Sequence, residues 1–262
     1  MPVIGVVMQK GGVGKSTTTL SLGTELGQLG LRVLLVDMDA QTNLTQAVGL
    51  DPTQIATSVF DLLMDPVRGV ESAIQPTAFA VDIIPATLGL ARAELILAGH
   101  VGRELLLRRA LQLVRERYDF ILIDSPPSLG LLTLNTMAAA DSLLVPLQAH
   151  IFALHAMAHL EETVALIRQL HPTVAIHGIL MTMVDRRTSV NQAVEQAARE
   201  RYGDLVFETT IPFNIKLVEA PAVGQPIGLY APNSSSAQAY ARLAQEVRER
   251  YGYEQIQTRV TS

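Results

Sequence analysis

The chain has no cysteine at all. Disulfides, thiolate metal centres and cysteine nucleophiles are therefore excluded, and a reducing cytoplasm fits. It has no apolar run of membrane-spanning length, and Met1-Pro2 leads straight into an apolar segment, so neither a signal peptide nor a membrane anchor is expected. Positive charge is also scarce: the net charge is −5, which argues against a globally basic nucleic-acid binder while leaving room for a local patch. Lysine is the scarcest cation. There are three lysines, Lys10, Lys15 and Lys216, and the other 17 of the 20 basic residues are arginines. Two of the three stand five residues apart in one glycine-rich stretch, where a lysine has a specific job.

What is present is a globular composition, 48% apolar and 17% charged, in 262 residues with no repeat, low-complexity tract or linker. One α/β domain over 1–262 is expected, with a polar tail from about 254 to 262. The lysine-bearing stretch is Gln9-Lys10-Gly11-Gly12-Val13-Gly14-Lys15-Ser16-Thr17. It follows the apolar run Val3 to Met8 and opens a segment with leucines at helical spacing (Leu20, Leu22, Leu26, Leu29). Strand, glycine turn and helix form the setting of a phosphate-binding loop. Its glycines let successive N–H groups of residues 11–17 turn toward an anion at a helix N-terminus. Lys15 can then reach the β- and γ-phosphates of a nucleotide, and the Ser16 hydroxyl can ligate Mg²⁺.

Further strands are expected at Leu31–Asp37, Val81–Pro85, Tyr118–Asp124, Ser142–Pro146 and Val174–Val184, most of them continuous apolar runs of the kind buried in parallel sheets. Two of these runs end in an acid, Asp37 and Asp124, where open α/β sheets place ligands. Asp124 closes an apolar strand in the manner of a Walker B carboxylate, which holds Mg²⁺ through a water. Helices are expected at Val59–Leu63, Leu88–Leu97, Arg103–Arg117, Val190–Tyr202 and Ser236–Tyr251. Asp51, Asp61, Asp65 and Glu71 read as solvated surface.

The loop departs from the standard pattern at Gln9, where glycine is usual, and carries Lys10 ahead of the paired glycines. This resembles the deviant Walker A motif of the ParA/MinD family of ATPases, in particular ParA (Soj-like) proteins without a preceding DNA-reading domain. Asp37-Met38-Asp39-Ala40-Gln41-Thr42-Asn43 resembles the family's first switch, with Ala40 in place of proline, and Asp124-Ser125-Pro126-Pro127-Ser128-Leu129-Gly130 resembles the second. The likeness extends over nearly the whole chain. It implies a P-loop NTPase fold, a doubly wound and mostly parallel sheet with helices on both faces.

It also implies ATP and Mg²⁺ as cofactors. Lys10 would reach the partner's nucleotide in a homodimer that closes over two ATP molecules, Asp39 would position the attacking water, and Asp37 would support the Mg²⁺ shell. Met183, Pro212 and Asn214 would line the adenine. Other implied partners are non-specific double-stranded DNA and a ParB-like or adaptor activator, in the cytoplasm and on the nucleoid when ATP is bound. Arg186, Arg187, Arg199, Arg201 and Lys216 are the candidate DNA contacts. Phe213 stands where relatives carry an arginine that contributes to DNA binding, and His150 and His155 stand where they carry acids. His155 and His159 have the spacing of a metal pair on a helix, with no third ligand placed.

Three other readings share the motif. An ATP-driven electron donor needs cluster cysteines, which are absent. A MinD-like membrane ATPase needs a basic amphipathic C-terminal anchor, which this sequence lacks. A nucleotide-dependent protein scaffold acting without DNA is compatible with Phe213 and the negative net charge.

Overall fold

A computed structural model describes residues 1–150 and 152–253; the expected polar tail, 254–262, lies outside the described residues. In chain order the elements are β1 (Val3–Val6), α1 (Lys15–Gln28), β2 (Val33–Asp37), α2 (Asn43–Ala47), α3 (Val59–Met64), α4 (Pro66–Ala73), β3 (Gln75–Pro76), β4 (Asp82–Ile84), α5 (Ala93–Ile96), α6 (Leu106–Gln112), β5 (Phe120–Asp124), α7 (Leu131–Ala139), β6 (Ser142–Gln148), α8 (Ala153–Ile167), β7 (Ala175–Thr182), α9 (Ser189–Tyr202), α10 (Lys216–Ala222), α11 (Ile227–Tyr230) and α12 (Ser235–Arg250).

The strands form one seven-stranded sheet in the order β3-β4-β2-β5-β1-β6-β7, parallel throughout except for the short antiparallel edge strand β3. The apolar runs do not alternate because helices cover both faces: every residue of β1, β2 and β5 is buried. On one face Leu22 and Leu26 of α1 pack with Tyr240 and Leu243 of α12 over Leu35 and Leu122. On the other, one cluster gathers Leu62 and Leu107 against Ile121 and Ile123, and a second gathers Met157 and Leu160 against Leu143 and Met181.

From β1 the chain moves to β2 on one side, and from β5 it crosses β1 to reach β6 on the other. That reversal leaves a crevice at the carboxyl end of β1, where doubly wound sheets bind ligands. The doubly wound, mostly parallel architecture read from the sequence is the one found.

Two expected helices are broken. Over 88–97 a 3-10 turn at Leu88–Arg92 precedes the four-residue α5, leaving Leu88 and Leu95 exposed. Over 103–117, α6 is flanked by 3-10 turns, and Leu106, Leu107, Ala110 and Leu111 form its buried face. Asp61 is not merely solvated: it accepts from Ser58 N at 2.9 Å, closing a capping box at the start of α3.

Candidate nucleotide site

Two glycines of the loop after β1 take left-handed backbone, Gly12 at φ 72° and Gly14 at φ 93°, a conformation a Cβ disfavours. Gly14 is the N-cap of α1 and supplies no side-chain acceptor, so the first N–H groups of that helix remain free to meet an anion. Lys15 is only 8% exposed. Its ammonium donates to the carbonyl of Lys10 at 3.3 Å, and burial lowers its pKa while the charges of Asp124 and Asp39 offset part of the effect. Lys10 is exposed and turns away, donating to Gln148 Oε1 at 3.0 Å.

The three acids differ in their surroundings. Asp37 is fully buried and accepts from Thr45 Oγ1 at 2.7 Å, Thr45 N at 2.9 Å and Asp39 N at 3.0 Å. Burial still pushes its carboxyl up to about 6. Asp39 accepts from Gln41 N at 3.0 Å, which folds the first switch segment back on itself. Asp124 is the outlier: both oxygens are buried and neither has a hydrogen-bond partner of normal geometry. Burial and the neighbouring Asp37 raise its pKa, and the nearby Ser16 hydroxyl and Lys15 ammonium offset only part of this. A buried carboxylate without partners, beside a hydroxyl and a second carboxylate, is the donor set a divalent cation needs when phosphate oxygens complete its shell. Among the described residues, no group of three or more His, Asp or Glu could hold a metal unaided. His155 and His159 therefore gain no third ligand; both are exposed, and His159 lies 3.6 Å from Glu162.

The loop residues 11–17, with Lys15 and Ser16, and Asp39 open onto a cavity of about 610 Å³. Residues 11–17, Asp39 and Pro127 form its polar end; Met183, Ile211, Leu217, Val218 and Tyr240 form apolar walls further along. The division suits a ligand with a polyanionic end and a flat apolar end. Among the described residues Met183 is one of two non-glycine residues with positive φ (53°); the other, Thr42, lies within the first switch segment. Pro212 and Asn214 do not line the cavity. Pro212 bridges to Val184, and Asn214 Oδ1 accepts from Lys216 N at 3.0 Å. The walls from α10 and α12 include Leu217, Val218 and Tyr240, none of them singled out as a site residue from the sequence; Tyr240 reaches Thr18 at 3.1 Å from 222 residues away.

Four of the five candidate basic residues are paired with acids. Arg187 pairs with Asp185 at 2.8 Å, Arg199 with Glu195 at 3.1 Å, Arg201 with Glu161 at 3.1 Å and Lys216 with Glu219 at 2.7 Å. Arg186 is exposed and makes no ion pair among the described residues.

A family model for an AAA domain matches residues 1–176. The sporulation initiation inhibitor protein Soj of Bacillus subtilis is 43% identical over 246 residues, covering 94% of this chain and 97% of that protein. The chromosome partitioning protein ParA of Caulobacter vibrioides is 41% identical over 248 residues, covering 94% and 93%. Among solved structures, a Mycobacterium smegmatis protein described as cobyrinic acid a,c-diamide synthase, with bound ADP and magnesium, superposes with a TM-score of 0.84 at 34% identity, covering 97% of each chain. The resemblance read from the lysine-bearing loop and the two switch segments thus holds across nearly the full length, and the chain belongs to the ParA/MinD family of P-loop ATPases.

Proposed function

We propose that this chain is a Mg²⁺-dependent ATPase that closes as a homodimer over ATP and binds double-stranded DNA without sequence preference in that state. Hydrolysis, stimulated by a ParB-like or adaptor partner, then releases it, and the cycle positions or segregates a DNA or protein cargo. The observation that carries this reading is the pair of lysines: Lys15 already lines the chain's own cavity, whereas Lys10 is exposed one residue before the lining begins, its ammonium donating to Gln148. A second subunit gives Lys10 a phosphate to meet. Exposed Leu88, Leu129, Phe152 and Phe213 support the same reading, because all four leave from the carboxyl edge of the sheet that carries the cavity. Apolar surface on one edge is what a self-associating face requires.

In hydrolysis Asp39 holds the attacking water by accepting its hydrogen bond. The water oxygen bonds to the γ-phosphorus as the bond to the β,γ-bridging oxygen breaks, one proton of the water passes to an oxygen of the departing phosphate, and ADP keeps the bridging oxygen. Lys15 with the partner's Lys10 neutralises the charge that builds on the phosphate oxygens. Ser16, Asp37 and Asp124 would hold Mg²⁺, which when bound neutralises charge on the β- and γ-phosphates. The base would lie on Met183 and the apolar walls. The expected location is the cytoplasm, on the nucleoid when ATP is bound; among the described residues no helix is long and apolar enough to cross a membrane.

A second reading, a protein scaffold that docks an adaptor and leaves DNA alone, is favoured by the ion pairs of Arg187, Arg199, Arg201 and Lys216 and by Phe213 at 66% exposure. Binding of the Asp39→Ala protein to random duplex DNA, with ATP and with ADP across a salt series, separates the two. The DNA reading predicts ATP-specific binding whose log–log salt slope is about −0.9 per phosphate neutralised, and Arg186→Glu should flatten it. A dimer that forms with ATP yet ignores DNA at low salt selects the scaffold.

A further inference from the structure

Consecutive residues of the phosphate loop reach the same β6–α8 unit by separate routes. Gln9 Nε2 donates to Thr163 Oγ1 on α8 at 2.8 Å, and Lys10 Nζ donates to Gln148 Oε1 at the end of β6 at 3.0 Å. Thr163 is buried, and its own hydroxyl proton goes to the carbonyl of His159 at 3.0 Å. With that proton committed, only a donor fits opposite Thr163, so the amide of Gln9 is fixed with its NH₂ toward the helix. The carbonyl of Lys10 is meanwhile held by Lys15 Nζ at 3.3 Å. The backbone that carries Lys10 is thus anchored on one side by Gln9 to α8 and on the other by the buried lysine.

A phosphate loop does not require a side chain at position 9, where the standard pattern has glycine. This one is half-buried and bonded to a helix that contributes nothing to the cavity wall. We propose that Gln9 is a positioning residue for Lys10: its bond to Thr163 fixes the peptide from which Lys10 projects, so that the ammonium leaves Gln148 already aimed at the partner's nucleotide. The inference rests on the reading that Lys10 acts across a dimer. It adds that α8, through Thr163, sets the geometry of that lysine.

Single-turnover ATP hydrolysis, ADP affinity and thermal midpoint, measured together on the full chain, test it. Gln9→Leu and Thr163→Val should each slow hydrolysis about tenfold, the order expected when a transition-state contact is misplaced by an ångström or less. ADP affinity should stay within about twofold, since Lys15 and the loop glycines are untouched. The double variant should be no slower than the slower single one, because both remove one contact. Thr163→Ser, which keeps the hydroxyl, should hydrolyse like the parent protein. Gln9→Asn, one methylene short, probes the same bond if Gln9→Leu does not fold. Variants that lower only the thermal midpoint, or losses that multiply in the double variant, would overturn the inference. Lys10→Ala is the control. If it hydrolyses like the parent, the dimer reading itself fails; if it is inactive while the Gln9 and Thr163 variants keep full rate, only this inference falls.

Discussion

Thr182 donates its hydroxyl to the carbonyl of Val13 at 3.0 Å, a buried bond between residues 169 apart in the chain. It ties the end of β7 to the middle of the phosphate loop, and the next residue, Met183, takes the left-handed backbone that brings it to the cavity wall. The bond joins the polar and apolar ends of the site. Thr182→Val keeps the shape but leaves the Val13 carbonyl buried without a donor. It should cost about 1–3 kcal/mol in urea unfolding and weaken ADP binding, while Thr182→Ser should be close to neutral in both.

The two loop lysines should separate binding from closure. Lys15→Ala removes the buried ammonium beside Asp39 and Asp124 and should abolish measurable binding of a fluorescent ADP analogue. Lys10→Ala should bind the analogue normally and fail to hydrolyse ATP.

Gly27 of α1 is required by close approach. A Cβ there would lie far inside van der Waals contact with the carbonyl of Ala80, which is backbone and cannot swing aside. Gly27→Ala should therefore destabilise the fold by about 1–3 kcal/mol. The contact lies at the far end of α1 from the phosphate loop, so nucleotide affinity below the melting transition should be unchanged.

The parts of this site that are legible in the sequence are local. Strand, glycines and lysine within 3–17, and acids closing apolar runs at Asp37 and Asp124, are read from neighbours in the chain, and the fold places them together. Three kinds of feature are not legible. Short helices such as α2, α10 and α11 run four to seven residues, too few turns to show a period, and tertiary contact holds them. The strand β3 is two residues long and contains a proline, against strand propensity. The apolar walls of the cavity come from segments far apart in the chain, and nothing local in Tyr240 announces that it meets Thr18. The basic residues are a different case. Asp185, Glu195 and Glu219 stand two to four residues from the cations they pair with, whereas Glu161 reaches Arg201 from 40 residues away and is not legible in the sequence.

His171 contributes one part of the pH dependence of stability, opposite in sign to Asp37, whose raised carboxyl loses stability as the pH rises through about 6. His171 is buried in the turn between α8 and β7, and burial, with the charges of Arg108 and Arg115, lowers its pKa, partly offset by the Ala140 carbonyl and Asp141. Its folded value lies below the unfolded value of about 6.5, so the unfolded chain takes up the proton first. Stability from this group is full above about pH 6.5 and is lost as the pH falls through the window between that value and the lower folded one. His171→Asn should show a smaller drop in urea midpoint between about pH 7.5 and about pH 5.5 than the parent protein, since this window brackets the unfolded value. An identical drop would assign the acid sensitivity elsewhere.

The most direct test of the central claim is the mass of the Asp39→Ala protein in solution by light scattering, with ATP and Mg²⁺ and with ADP and Mg²⁺. In the proposed mechanism Asp39 holds the attacking water, so its removal should trap the closed state. The account predicts a stable dimer with ATP, a monomer with ADP, and a monomer with either nucleotide once Lys10→Ala is added. A mass that ignores which nucleotide is bound would contradict it.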